Sequence, residues 1–134
     1  NGLIELRADF TKTLLLNNRI KEATLQQKEI ITSDKNHYLA HQINGLINEY
    51  NHNFKKAEKE YLKAISLYKW DLFSKISLAG LYPQKYKNLI KQLKTDKTNS
   101  PHYYYNKKYY NYESVNEWNA KLKKLFVKKI TKQH

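Results

Sequence analysis

A close helix crossing recurs thirty-four residues apart in this chain, at Ala23 and at Ala57. Around the second, Gly45 precedes Phe54, Ala57, Tyr61 and Ala64, so small residues stand where two neighbouring helices must press together. In the same frame the first has Phe10, Leu14, Ile20, Ala23 and Ile30. A helix pair repeated at this period predicts an all-α superhelical solenoid of antiparallel hairpins. A lone hairpin cannot bury its outer stripe, so each unit needs a neighbour or a cap.

Hydrophobic spacing places the units. Leu3, Leu6, Phe10 and Leu14 line one helical face, and Asn17-Asn18 breaks the run. Ile20, Ala23, Gln27, Ile30 and Ile31 form the next stripe, and Asp34 or Asn36 is placed to cap the third helix. Leu39, Ile43, Leu46, Ile47 and Tyr50 point inward from that third helix, and Phe54, Ala57, Tyr61 and Ala64, with Ile65 or Tyr68, from a fourth. Asp71 caps a fifth that carries Phe73, Ile76, Leu78, Ala79 and Leu81, and Pro83 stops it. The expected hairpins are thus about 3–32, 37–68 and 71–94, the last ending in a short helix through Tyr86, Leu89, Ile90 and Leu93. A linker over 95–112 comes next, then a capping helix over 113–131. That helix opens with the capping box Ser114-Val115-Asn116-Glu117 and presents Trp118, Leu122, Leu125, Phe126 and Ile130 on one face. The 134 residues form a single domain, read as a fragment of a longer protein because the first residue is Asn.

Charge is unevenly spread. The net formal charge is +13, but residues 83–134 hold thirteen lysines against three acidic groups, leaving only +3 for the rest. The Lys-rich half would draw an acidic partner protein, a phosphate backbone or an anionic lipid surface. With two arginines in the chain, a Lys-favouring genome accounts for part of this excess. No cysteine is present, which removes disulfides and thiolate zinc sites, and no apolar stretch approaches the ~20 residues needed to cross a bilayer. The Lys/Asn/Ile bias and missing Cys point to a bacterial, envelope-associated or periplasmic protein, while staying compatible with cytosol.

From Tyr38 to Asp71 the pattern resembles the tetratricopeptide repeat family: Gly45 at the close-contact position of the first helix, Phe54 opening the second, then Ala57, Tyr61 and Ala64. Asn44 and Lys69 depart from it, where the family favours Leu and Pro. The unit from Ile4 to His37 keeps Phe10, Leu14, Ile20 and Ala23 but has Thr11 at the Gly place. The unit from Leu72 keeps Leu78, Ala79 and Tyr82 until Pro83 shifts its register. The resemblance implies a groove, lined by the first helix of each hairpin, that holds a segment of another protein. By motif position its lining is Glu5, Ala8, Lys12 and Leu15, then Leu39, Gln42, Leu46 and Glu49, then Phe73 and Ile76. Ala8 and Leu46 stand where the carboxylate-gripping members of the family need polar groups, which argues against that subtype.

A second candidate surface is Tyr103, Tyr104, Tyr105, Lys107, Lys108, Tyr109 and Tyr110. Tyrosines favour protein interfaces or pack a long connection, and interleaved with lysine they can stack bases and neutralise phosphates. The expected work is therefore non-catalytic protein interaction or assembly. Nucleic-acid or anionic-membrane binding through the Lys/Tyr-rich part is the alternative, and self-association through the 113–130 helix a third. His37 and His41 have ligand spacing but no zinc-protease Glu beside them, and His52 would join only by accident of the hairpin. Glu58 and Glu60 read as solvated carboxylates, Ser66, Ser74 and Ser77 have no adjacent base, and three glycines make no phosphate loop. No enzyme activity, cofactor or metal is expected.

Overall fold

The computed structural model describes residues 2–89 and 91, and every regular element among them is helical. The order is α1 (Gly2–Leu16), α2 (Ile20–Asp34), α3 (Tyr38–Tyr50), α4 (Phe54–Leu67) and α5 (Leu72–Leu81), with helical residues again at 87–89 and 91. The rest of the expected short helix, the 95–112 linker and the 113–131 helix lie outside the described residues.

Short turns make α1–α2 and α3–α4 hairpins. α3 is the central element, touching α1, α2, α4 and α5. The termini repeat their spacing: α1 and α3 end at Leu16 and Tyr50, α2 and α4 begin at Ile20 and Phe54, and α3 and α5 begin at Tyr38 and Leu72, each pair thirty-four residues apart. The hairpin turns share a backbone as well. Asn18 and His52 are both left-handed, with φ of 61° and 62°. Arg19 and Asn53, the next residues along, have φ/ψ of −92°/64° and −90°/68°. Asn and His tolerate the left-handed region better than most side chains, so each turn closes at small strain.

The core is continuous through both hairpins, from Ile4, Ala8, Leu14 and Leu15 through Ala23 and Ile30 to Ile43, Leu46, Tyr50, Ala57 and Tyr61, reaching Phe73 and Leu78 in α5. Burying each large side chain in such a cluster contributes about 1.5–3 kcal/mol. The five inward residues expected of α3 are all buried.

Three stripes differ from expectation, the slightest change being in α4, where Ala57, Tyr61 and Ala64 are buried but Phe54, at the first position of the helix, is 36% exposed. In α1 only Leu14 of the expected set is buried, while Leu3, Leu6 and Phe10 are 57%, 68% and 49% exposed. The inward face is instead Ile4, Ala8, Thr11 and Leu15, at spacings of four, three and four. Ala8 and Thr11 allow the neighbouring helices to come close, and the bulkier Leu/Phe row turns outward. In α2, Ala23 and Ile30 are buried, Ile20 and Ile31 lie at the margin with 38% and 36% of their surface exposed, and Gln27 donates to Asn44 Oδ1 at 2.8 Å.

Caps are set by the local backbone. Asp71 accepts from the Ser74 N–H at 3.0 Å, as its position suggests. The cap of α3 is neither Asp34 nor Asn36 but His37, whose Nδ1 accepts from the Leu39 N–H at 3.1 Å. Asp34 instead accepts from the Asn36 N–H in the turn before it.

Glu58 and Glu60 are not solvated carboxylates. Glu58 is 6% exposed, because the chain after Pro83 returns over α4 and both Lys85 Nζ, at 2.6 Å, and the Tyr86 hydroxyl donate to Glu58 Oε2. Glu60 is half-buried and lies 2.6 Å from His41 Nδ1. The hydrogen bonds to Glu58, from Lys85 first, hold its carboxyl below its ordinary value. A depressed carboxyl stabilises the fold above the unfolded-state pKa near 4.5, and that stabilisation is lost as pH falls through the folded value. The Glu58→Gln variant is expected to be less stable than the parent by about 1–2 kcal/mol at pH 7, less than a fully buried pair would give because Lys85 is more than half exposed. Urea titrations at stepped pH check this: the two proteins converge as pH drops below about 4.

Candidate functional site

The residues expected to line a groove lie along one seam formed by α1, α3 and α5. Ala8, Lys12 and Leu15 come from α1, Leu39, Gln42, Leu46 and Glu49 from α3, and Phe73 and Ile76 from α5. All are buried except Ile76, which is half-buried; Glu5 is exposed at one end. The side chains that the resemblance would offer to a partner are therefore mostly covered within this chain. The cause is helix proximity: α3 packs against both α1 and α5, which brings the three inner faces together.

The seam is polar at its centre. Asp71, buried at the start of α5, accepts from the Gln42 amide at 2.9 Å and from the Ser74 N–H at 3.0 Å through Oδ1, and from the Ser74 hydroxyl at 2.6 Å through Oδ2. Lys12, 7% exposed, sets its ammonium 4.4 Å from the centre of the Phe73 ring. Burial pushes the Lys12 ammonium below its usual range, against the pull of Asp71 and Asp9. Burial likewise raises the Asp71 carboxyl, against the hydrogen bonds from Ser74 and Gln42. Gln42 is 4% exposed, and its Oε1 has no hydrogen-bond donor. A buried acceptor left unmet is costly and uncommon. Deeper in, the Tyr61 hydroxyl donates to Glu49 Oε1 at 2.8 Å.

Above this centre, the Tyr38 and Tyr68 rings lie 4.6 Å apart and the His37 ring stacks on Tyr38 at 5.0 Å. Burial and the nearby Asp71 raise both tyrosine hydroxyls, with Glu5 adding to each. A ledge of half-buried aromatics thus borders a buried hydrogen-bonding centre. Chemically it can hold an amide, an apolar side chain or a cation. A nucleophile poised beside a base is not part of it: the Ser74 hydroxyl is committed to Asp71, and the Ser77 hydroxyl donates to the Phe73 carbonyl at 2.7 Å.

Other sequence candidates fall elsewhere. His37 is occupied as a cap and His41 with Glu60, and no group of three or more His, Cys, Asp or Glu side chains converges among the described residues. Tyr103, Tyr104, Tyr105, Lys107, Lys108, Tyr109 and Tyr110 lie outside those residues. On the first hairpin a cleft of about 210 Å³ is lined by Leu3, Ile4, Arg7, Ser33, Asp34 and His37. Arg7 donates to Gln26 there at 3.3 Å.

Sequence reasoning missed Asp71 as the hub of the seam, since a capping Asp carries no mark of a second bond to a distant Gln. Ser74, at the third position after it, was a usable signal because side chains there reach back to the cap. Among the described residues no helix is long and apolar enough to cross a membrane. No family model, no curated protein and no solved structure matches this chain.

Proposed function

We propose that this chain is a tetratricopeptide-like solenoid of antiparallel hairpins, closed by a helix over 113–131, and that it serves as a non-catalytic interaction or assembly module for a partner protein. The repeat reading is supported by the shared turn geometry at Asn18 and His52 and by helix ends that recur at the same interval as Ala23 and Ala57. The binding reading rests on one observation: Gln42 keeps a buried carbonyl oxygen without a donor, next to the Asp71 hub and below the Tyr38–Tyr68 ledge.

In this reading an incoming segment seats an apolar side chain against Ile76 and the tyrosine ledge. Gln42 Oε1 is itself covered, so a main-chain N–H of that segment satisfies it after the Gln42 side chain swings outward toward the ledge and gives up its bond to Asp71. The helices are already assembled around that point, so little ordering cost falls on the scaffold when the partner arrives.

Affinity capture with the full chain tests this against two substitutions, one at a half-buried position and one at an exposed position. Ile76→Glu places a charge at the edge of the seam, whereas Leu62→Glu places one on the exposed side of α4. The Ile76→Glu variant is expected to lose at least about 90% of any protein retained by the parent, a change of more than ~1.4 kcal/mol, and Leu62→Glu to keep it. Equal retention by both variants, with unchanged melting temperatures, contradicts the assignment of the seam.

A further inference from the structure

The two arginines of the chain are used differently. Arg19 lays its Nε and Nη2 edge along the Glu22 carboxylate, with both bonds at 2.7 Å, the paired geometry a guanidinium offers a carboxylate. The same edge of Arg7 holds nothing. Its Nη1 donates to Gln26 at 3.3 Å, its Nε is buried without an acceptor, and its Nη2 has no bond among the described residues. A covered N–H with no acceptor is uncommon and needs a cause. Arg7 lines the cleft of about 210 Å³ on the first hairpin, with Leu3, Ile4, Ser33, Asp34 and His37. His37 uses Nδ1 as the acceptor of the α3 cap, so its neutral ring carries the proton on Nε2 and adds a second donor. The α2 wall has the opposite sign. Ser33 and Asp34 close that helix, whose last turn has no basic residue, at the end where its dipole favours a cation. Asp34 Oδ1 accepts from the Asn36 N–H and Oδ2 is without a hydrogen bond among the described residues. The Ser33 hydroxyl donates to the Glu29 carbonyl and leaves its own oxygen as an acceptor. Arg7 and Asp34 share this cleft, yet neither has an ion pair among the described residues.

We propose that this cleft binds a free α-amino acid with a branched apolar side chain. Its carboxylate lies on the Nε/Nη2 edge of Arg7 with His37 beside it, its ammonium on Asp34 and the Ser33 oxygen, and its side chain on Leu3 and Ile4. A simple anion would bring its charge toward Asp34, and a simple cation toward Arg7. A zwitterion meets both walls with the favourable sign. A peptide end carries one of the two charges and so answers one wall. Size agrees: about 210 Å³ is the liquid share of about seven waters, room for a molecule of roughly seven to ten non-hydrogen atoms. Arg7 Nε is covered, so the carboxylate meets Nη2 first, and a rotation of the side chain brings Nε to it. The 3.3 Å bond to Gln26 is long enough to yield to that rotation. The inference goes beyond the binding role proposed above and does not depend on it, since its ligand is a small molecule and its test involves no partner.

With two arginines in the chain, the arginine Nε–H region of its NMR spectrum holds one reporter, Arg7, and one internal control, Arg19. In the full chain, L-leucine is expected to shift the Arg7 signal saturably, with a Kd of about 1 mM or below, and to leave Arg19 in place. Isocaproate, which lacks the ammonium, and isoamylamine, which lacks the carboxylate, are each expected to bind at least about tenfold more weakly. Calorimetry reads the variants. Arg7→Lys keeps the charge but not the paired edge, and is expected to weaken L-leucine about tenfold. Asp34→Asn is expected to bring L-leucine and isocaproate to within about twofold of each other. An Arg7 signal unmoved at about twenty times the expected Kd overturns the proposal. Equal affinities of the parent for L-leucine and isocaproate also overturn it, because they make the cleft an anion site. Both of these comparisons use the unaltered chain, so they decide the matter even where a variant fails to fold.

Discussion

Replacing Gly45 with alanine is expected to destabilise the protein by about 2–3 kcal/mol, although alanine is the better helix former by about 1 kcal/mol. A Cβ at this position would lie 2.6 Å from Tyr61 Cε1, 2.7 Å from Cδ1 and 3.0 Å from Cζ. The ring cannot step aside, because Tyr61 is fully buried and its hydroxyl donates to Glu49. The α3–α4 crossing must therefore open, loosening the contacts of Ala57 and Ala64 with it. A drop in Tm of about 10 °C is the expected readout. The cause is checked by a double-mutant cycle with Tyr61→Leu: if the clash is the mechanism, the Gly45→Ala cost is much smaller in the Tyr61→Leu background. An unchanged cost there would place the defect elsewhere in the helix.

Asp71→Ala is expected to cost about 3 kcal/mol. It deletes the cap of α5, worth about 0.5–2 kcal/mol, and strands the buried Gln42 amide, a further 1–3 kcal/mol. Asp71→Asn is different. It keeps the cap and the acceptor for Gln42, and it removes a carboxylate whose pKa burial has raised. A raised carboxyl gives stability that is full below the unfolded value of 3.8 and declines as pH rises through the folded value. The asparagine variant is therefore expected within about 1 kcal/mol of the parent at pH 7, and to fall behind it as the medium becomes acidic. Urea unfolding of both variants at pH 7 and pH 4 measures this. Equal losses for alanine and asparagine at pH 7 would mean that the charge itself, rather than the cap and the Gln42 bond, holds the seam.

These two sites show where sequence reading succeeds and where it stops. The α3–α4 hairpin was legible because its constraint is local: two helices in close contact need a Gly, two Ala and one ring, at spacings visible in one dimension. The turns were legible as breaks, but not as a shared left-handed backbone at Asn18 and His52. α1 misled, since Leu3, Leu6 and Phe10 satisfy helical periodicity as well as the true inward row does. The choice between two stripes on one helix depends on how near its neighbours come, and Ala8 and Thr11 decided it. Glu58 misled for a related reason: its partners, Lys85 and Tyr86, lie beyond Pro83, and nothing local shows that the chain returns there. At the seam, motif position identified Lys12 and Gln42 but not their burial, because the depth of a side chain depends on the joint approach of α1, α3 and α5.

The central claim is that this seam, and not the outer faces of α2 and α4, meets a partner. The most direct test tracks the amide and side-chain NMR signals of the full chain while a captured partner segment is added. The account predicts that the Gln42 side-chain amide, the Tyr38 and Tyr68 rings and the Ile76 methyls shift first, with those of Leu25 and Leu62 unchanged. Shifts confined to Leu25, Leu62 and their neighbours, with the Gln42 amide unmoved at saturation, would contradict it.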